Sequence, residues 1–392
     1  MSALTLRGGR VVTPAGVVDD DVVVAEGRIA AVGGAPSGEV VEMGGRWVLP
    51  GFVDVHVHGG GGAQCNTTDP DEVRRVAAFH AGHGTTALLA TTVAAPVDDL
   101  VGAARAIDAA RATPAAGSAE ILGTHLEGPF LSPAWPGAME REVFLAPDVD
   151  ALDRLLAAGT VRAISLAPEL PGALAVIQRA AAVGVCVSLG HSDATYAQAQ
   201  AAAEAGARSV THAFNAMRPL HHREPGMVGA ALDLDALTCE VICDGIHVDP
   251  VVVRLLVGRK GPQRTVLVTD AIEATGLSDG DYRLGDRRVE VHGGRATLPG
   301  GDTIAGSTLT MDQALRNVVA FTGVSVPDAA AMAATTPARL LGIADRKGAI
   351  APGLDADLVI LEPGDLALAG VLVRGAWVSR PARAGSARAA SA

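Results

Sequence analysis

Apolar and polar positions along this chain follow two rhythms. Near both ends the apolar runs are short and broken by dipeptides that favour tight turns. VVVAEGRIAAV turns at Glu26-Gly27 and VLVRGAWVS at Arg374-Gly375, and each reads as a hairpin. DADLVIL adds a further strand near the C-terminal end. Both ends are therefore β, and the economical expectation is that residues 1–50 and 346–380 pair into one small β-sandwich. The middle behaves differently. The runs GFVDVHVH, TTALLATT, EILGTHLEG, VRAISLAP, VGVCVSLGHSD, SVTHAFN, TCEVICDG and TVLVTDA are separated by helical patterns such as DPDEVRRVAAFHAG and SDATYAQAQAAAEAG. Strand–helix alternation sustained over residues 51–345 predicts an α/β fold, a (β/α)8 barrel of the TIM type. The Pro-rich stretch SPAWPGAMEREVFLAPD fits neither rhythm and reads as a mobile lid. Residues 381–392, made of Pro, Ala, Arg, Gly and Ser, predict a disordered tail.

Composition sharpens this picture. Of the 392 residues 49% are hydrophobic but only 3% aromatic, so the core must be built from Val, Leu, Ile and Ala. That choice suits parallel strands buried on both faces. The net charge of −12 lacks the basic excess of a nucleic-acid binder. An acidic chain can still take a phosphorylated metabolite, given a local basic pocket. The start, MSALTLRGGR, has no basic region followed by an apolar one, and no apolar run approaches the ~20 residues of a membrane span. The expectation is a soluble cytoplasmic protein. Cys65, Cys186, Cys239 and Cys243 form no Cys-x-x-Cys pair and read as free thiols.

Chemistry in such a barrel sits at the C-terminal ends of the strands. Here the first run ends in His56 and His58, the third in Glu127, the fifth in His191, the sixth in His212 and the eighth in Asp270. Distant in sequence, they would converge on one mouth. Residues i and i+2 of a strand face the same way, so His56 and His58 can both point inward. Neutral imidazoles with a carboxylate form a ligand set for a cation such as zinc, and an aspartate beside it can move a proton. His80, His83, His125 and His292 belong to no such pattern and read as structural. Lys260 and Lys347 are the only lysines and neither ends a barrel strand. A centre bridged by a carboxylated lysine therefore has no candidate here, and Glu127 is the substitute carboxylate.

The segments THLEGPFL, SLGHSDA, THAFNAMRPLHHREPGMVGAAL, CDGIHVDP, LVTDA and AGSTLTMDQALRN resemble, in this order, those of the N-acetylglucosamine-6-phosphate deacetylases. LPGFVDVHVHG and KGAIAPGLDADLVIL extend the resemblance over essentially the whole chain, although amidohydrolases broadly share these two. The resemblance implies that Glu127, His191 and His212 hold the principal divalent metal. Zinc is the first expectation, with iron, manganese, cobalt and nickel as alternatives. It makes Asp270 the catalytic base and then acid. It has His247 contact the sugar, and Asn215 and Ala216 meet substrate partly through backbone groups. Arg223, beside His221 and His222, would bind the 6-phosphate by charge-assisted hydrogen bonds from the partner subunit of a homodimer or a dimer of dimers. Members of the family differ at the His-x-His, and the presence of both His56 and His58 allows a second ion. Met139 stands where many relatives carry a histidine, and it cannot donate a hydrogen bond to a sugar hydroxyl.

The expected reaction is hydrolysis of N-acetylglucosamine 6-phosphate to glucosamine 6-phosphate and acetate. Its rivals are an amidohydrolase for N-acetylgalactosamine 6-phosphate or an N-acyl amino acid, and an inactive oligomeric scaffold on the same fold.

Overall fold

The computed structural model describes residues 3–382. Eight parallel strands follow one another in sequence order around a barrel. They are Phe52–Val57, Thr85–Thr92, Glu120–Glu127, Val161–Leu166, Cys186–Leu189, Ser209–Val210, Thr238–Ile242 and Thr265–Val268, and they coincide with the eight apolar runs. The last closes on the first: Val57 bridges Ala271, and the Asp270 N–H donates to the His56 carbonyl at 2.9 Å. A helix follows each strand, from Pro70–Ala81 after the first to Met311–Thr322 after the eighth. No described helix is long and apolar enough to cross a membrane.

Local chemistry sets these elements. Asp69 caps the first helix by accepting from the Asp71 N–H, Pro70 occupies the first turn, and Asp71 and Glu72 sit at the positive end of the helix dipole. Thr195 and Gln198 form a reciprocal capping box at the start of Tyr196–Ala205. Nearly every barrel-strand residue is buried, as expected for strands covered by helices on one side and by each other on the inside.

The chain's two ends meet in one eight-stranded sheet. Trp47–Pro50 pairs antiparallel with Leu358–Leu361, and Leu4–Thr13 runs parallel to Trp47–Pro50. Its core joins Leu6, Val11, Val24 and Val48 to Ile350, Leu358, Ile360 and Leu372. Glu26-Gly27 and Arg374-Gly375 carry positive φ at both central positions, the geometry of a two-residue hairpin turn that matches strand twist.

Two features depart from the sequence pattern. A three-stranded antiparallel sheet, Gly280–Leu284, Arg287–His292 and Arg295–Thr297, is inserted between the eighth barrel strand and its helix. It packs Leu284, Val289 and Val291 against Val93, Ala138 and Ile272 beside the barrel mouth. The sixth strand is only two residues long, because positive φ at His212, Phe214 and Ala216 bends the chain out of the sheet. The tail expected from residue 381 lies, from residue 383 onward, outside the described residues.

Candidate active site

His191, His212 and Asp270 each follow a barrel strand and each has a left-handed backbone, with φ of 48°, 28° and 51°. That conformation is costly for residues with a Cβ, by about 1 kcal/mol or more each. It turns the chain at the strand end and aims each side chain across the mouth. Glu127 reaches the same point from the end of its strand, and His56 and His58 from the first strand. All six are buried.

Glu127 is the hub. Its Oε1 lies 2.9 Å from His212 Nε2 and 3.2 Å from His191 Nε2, and its Oε2 lies 3.3 Å from His58 Nε2. Two groups of potential ligands share it: Glu127 with His191 and His212, and Glu127 with His56 and His58. Asp270 Oδ1 sits 3.1 Å from His58 Nε2 and 3.6 Å from His56 Nε2.

The other face of three imidazoles is fixed from behind. His191 Nδ1 donates to the Trp135 carbonyl at 2.9 Å, His58 Nδ1 to the Thr91 carbonyl at 3.2 Å, and His56 Nδ1 to Glu240 Oε2 at 3.0 Å. Each ring thereby turns Nε2 toward Glu127, Asp270 or both. Ring nitrogens and carboxylate oxygens this close call for positive charge among them, a proton on the ring or a cation. The titration of the site expresses the same need. Burial lowers the His58 imidazole, but hydrogen bonds to Asp270 and Glu127 more than reverse this and bring it to about 9. His56 is likewise raised against burial, by Glu127, Glu240 and Asp270. Burial would raise the Asp270 carboxyl, yet the His58 hydrogen bond and the nearby imidazoles hold it at about 2. Three imidazoles around a carboxylate, oriented from behind, fit a divalent cation.

The mouth is a cavity of about 500 Å³. Asn215, Ala216, His247 and Met139 lie on its wall, as do Thr303 and Ile304 beyond the inserted sheet. His247 is held by Asp244, whose Oδ2 accepts from Nδ1 at 2.7 Å. Asn215 Nδ2 is turned back onto the His212 carbonyl at 3.2 Å. Arg223 and His222 are not on this wall. They sit at the exposed tip of a tight turn in which His221 and Glu224 exchange both backbone hydrogen bonds, each at 3.0 Å.

The sequence pattern did not expose Glu240, Asp244 or Trp135. Glu240 is a buried charge in the strand Thr238–Ile242, and besides His56 it accepts from the His212 N–H at 3.2 Å. A carboxylate inside an apolar run was the available signal. His125 lies close below, hydrogen-bonded to the Val55 carbonyl and Ser165 Oγ, and burial pushes it down to about 4. His80 donates to the Gly59 carbonyl and His83 pairs with Asp312. Lys260 Nζ donates to the Leu234 carbonyl and Lys347 Nζ pairs with Asp357, so neither lysine reaches the mouth.

The Amidohydrolase family model matches residues 47–385. An N-acetylgalactosamine-6-phosphate deacetylase from Escherichia coli O157:H7 is 40% identical over 92% of this chain and 95% of its own length. An N-acetylglucosamine-6-phosphate deacetylase from Lysinibacillus sphaericus is 38% identical over 92% and 94%. Among solved structures, a mutant N-acetyl-D-glucosamine-6-phosphate deacetylase from Mycobacterium smegmatis, in complex with N-acetyl-D-glucosamine-6-phosphate, superposes with a TM-score of 0.90 at 40% identity, covering 96% of this chain and 99% of that one. With the barrel, the strand-end residues and the matched length in agreement, this chain belongs to the amidohydrolase family, and within it to the N-acetylglucosamine-6-phosphate deacetylases.

Proposed function

We propose that this protein removes the acetyl group from N-acetyl-D-glucosamine 6-phosphate, giving D-glucosamine 6-phosphate and acetate. The observation that carries this reading is the meeting of Glu127, His191, His212 and Asp270 at one barrel mouth in a chain of this family. Glu127, His191 and His212 would hold the principal cation, with zinc first and iron, manganese, cobalt or nickel as alternatives; His56 and His58, with Glu127, would hold a second. A divalent cation there supplies Lewis acidity, which makes water a nucleophile near neutral pH and polarises an amide carbonyl.

The residues carry the proton. Asp270, held ionised by the imidazoles beside it, accepts a proton from the attacking water as the new C–O bond forms at the amide carbon. When the C–N bond breaks, Asp270 returns that proton to the departing nitrogen. The amine leaves with it, and the second proton of the water leaves with the acetic acid. His247, fixed through Nδ1 by Asp244, offers Nε2 to the sugar. Asn215 and Ala216 line the same wall and meet substrate partly through backbone groups. Arg223 and His222 are exposed on a tight turn and do not line their own cavity, the placement expected of a phosphate ligand for a second copy in a homodimer. Leu220, just before that turn, is an exposed apolar residue that suits such an interface.

A second reading, N-acetylgalactosamine 6-phosphate as substrate, is favoured by the relative of that name and by Met139 on the cavity wall. Acetate release by the zinc-supplied protein decides between them. The glucosamine phosphate should turn over fastest, its galacto epimer more slowly, and N-acetyl amino acids negligibly. Turnover confined to N-acetyl amino acids, or to none of these, would overturn the proposal.

A further inference from the structure

Trp135 lies in the segment between the third barrel strand and its helix, which folds over the mouth with little regular structure. Its carbonyl and its indole N–H are both engaged by the loop that carries His191, while its backbone N–H donates to the Ser132 carbonyl at 3.0 Å. Its carbonyl accepts from His191 Nδ1 at 2.9 Å, and its indole N–H donates to Asp193 Oδ1 at 2.8 Å. The same segment touches His191 twice more. The Ser132 N–H donates to the His191 carbonyl at 2.9 Å, and Gly137 packs so close that a Cβ there would lie 2.9 Å from His191 Cε1.

The anchor on the other side does not depend on this segment. Asp193 takes two hydrogen bonds from Arg218, at 3.0 and 2.7 Å. The loops are also zipped through their backbones, Ser192 N–H to the Ala216 carbonyl and Arg218 N–H to the Ser192 carbonyl. Asp193 is therefore a fixed dock, and the indole is the part that can leave it. When it leaves, the carbonyl that sets the tautomer and angle of the His191 ring leaves with it. Among the described residues, His191 Nδ1 has no other hydrogen-bond partner than that carbonyl.

We propose that Trp135 is a positioning residue: its indole latches the overlying segment to Asp193, so that the orientation of His191, and with it retention of the cation, depends on that segment being closed. This rests on the reading of His191 as a metal ligand. Removing a partner that orients a ligating histidine typically costs on the order of 10- to 100-fold in metal affinity. Phenylalanine at this position keeps the carbonyl and the ring but deletes the N–H.

The test compares the native chain, Trp135→Phe and His191→Ala, all stripped with chelator and titrated with zinc. Trp135→Phe should release zinc to excess chelator about tenfold faster than the native chain. The three tryptophans are Trp47, Trp135 and Trp377, and the first and last belong to the terminal sheet. Zinc should therefore change the native emission and leave that of Trp135→Phe unchanged. Equal zinc release from the native chain and Trp135→Phe, or a native emission indifferent to zinc, overturns the latch. Unaltered zinc binding by His191→Ala overturns instead the ligand assignment beneath it. A native emission indifferent to zinc overturns the latch even if Trp135→Phe folds poorly.

Discussion

At the scale of the residue, the candidate site holds His56, His58 and His191 from behind through Nδ1, while the buried His212 Nδ1 has no hydrogen-bond partner among the described residues. Asp270 carries the most direct prediction. Asn at this position keeps the shape and the hydrogen bond to His58, but it cannot carry a proton from water to the leaving nitrogen. Turnover should fall by about 10²–10⁴-fold, while zinc content and binding of the sugar phosphate persist. Loss of zinc on the same substitution would make Asp270 chiefly a ligand. The residues legible in the sequence were those whose position alone was unusual. His56, His58, Glu127, His191, His212 and Asp270 stood at the ends of apolar runs, where a satisfied core has no need of them. Glu240 was not legible, because its partners, His56 Nδ1 and the His212 N–H, come from two other strands. Nothing local distinguishes a charge with such partners from one facing solvent. Trp135 was hidden for the same reason, since its meaning lies in Asp193 and His191, more than 50 residues away.

At the scale of the element, the eight strands were readable because burial on both faces leaves a nearly pure apolar run. The inserted sheet was not, although Gly285-Asp286 and Gly293-Gly294 mark its turns. Its strands face the barrel with one side only, and exposed Arg288 and His292 alternate with buried Val289 and Val291. Such strands dilute their apolar signal by half. The turn at His221–Glu224 is another element whose role depends on what it faces. Its reciprocal backbone bonds hold His222 and Arg223 outward. Arg223→Ala should raise KM for the phosphorylated sugar strongly, by about tenfold or more for loss of a charge-assisted contact. The slow reaction on unphosphorylated N-acetylglucosamine should barely change. If the turn serves a partner's cavity, mixing Arg223→Ala with Asp270→Asn should restore part of the activity, because hybrid dimers contain one complete site. Equal loss on both sugars would make Arg223 structural.

At the scale of the whole molecule, the terminal sheet exists only when both ends of the chain are in place, since Trp47–Pro50 and Leu358–Leu361 lie about 300 residues apart in sequence and pair directly. A buried ion cluster joins this sheet to the barrel. The Lys347 side chain is 1% exposed, and its Nζ lies 2.9 Å from Glu120 and 3.1 Å from Asp355, with Asp357 bonded to it as well. Arg346 pairs with Glu120 and, at 2.9 Å, with Asp355. Glu120 opens the third barrel strand, the one that ends in Glu127, so the cluster pins the far end of the strand that carries the hub of the site. Lys347 and Arg346 hold three carboxylates here, with exposed Arg28 reaching Asp355 from outside at 3.8 Å. Lys347→Met would leave Asp357 without a cation and the other two carboxylates to Arg346 and, for Asp355, to Arg28, and removing one partner of a buried pair costs about 3–5 kcal/mol. The melting temperature should fall by several degrees. The deficit should also depend on pH in a defined direction. Burial already raises the Asp357 carboxyl, against the pull of Lys347. Without Lys347 it rises further, so the folded variant binds a proton more tightly than the unfolded chain, and its stability grows as pH falls toward that raised value. Lys347→Met should therefore be most damaging at pH 8 and less so at pH 5, and adding Asp357→Asn should recover much of the loss at pH 8. A deficit that is the same at both pH values, and indifferent to Asp357→Asn, would mean that Lys347 stabilises the junction through the packing of its methylene chain and not through its charge.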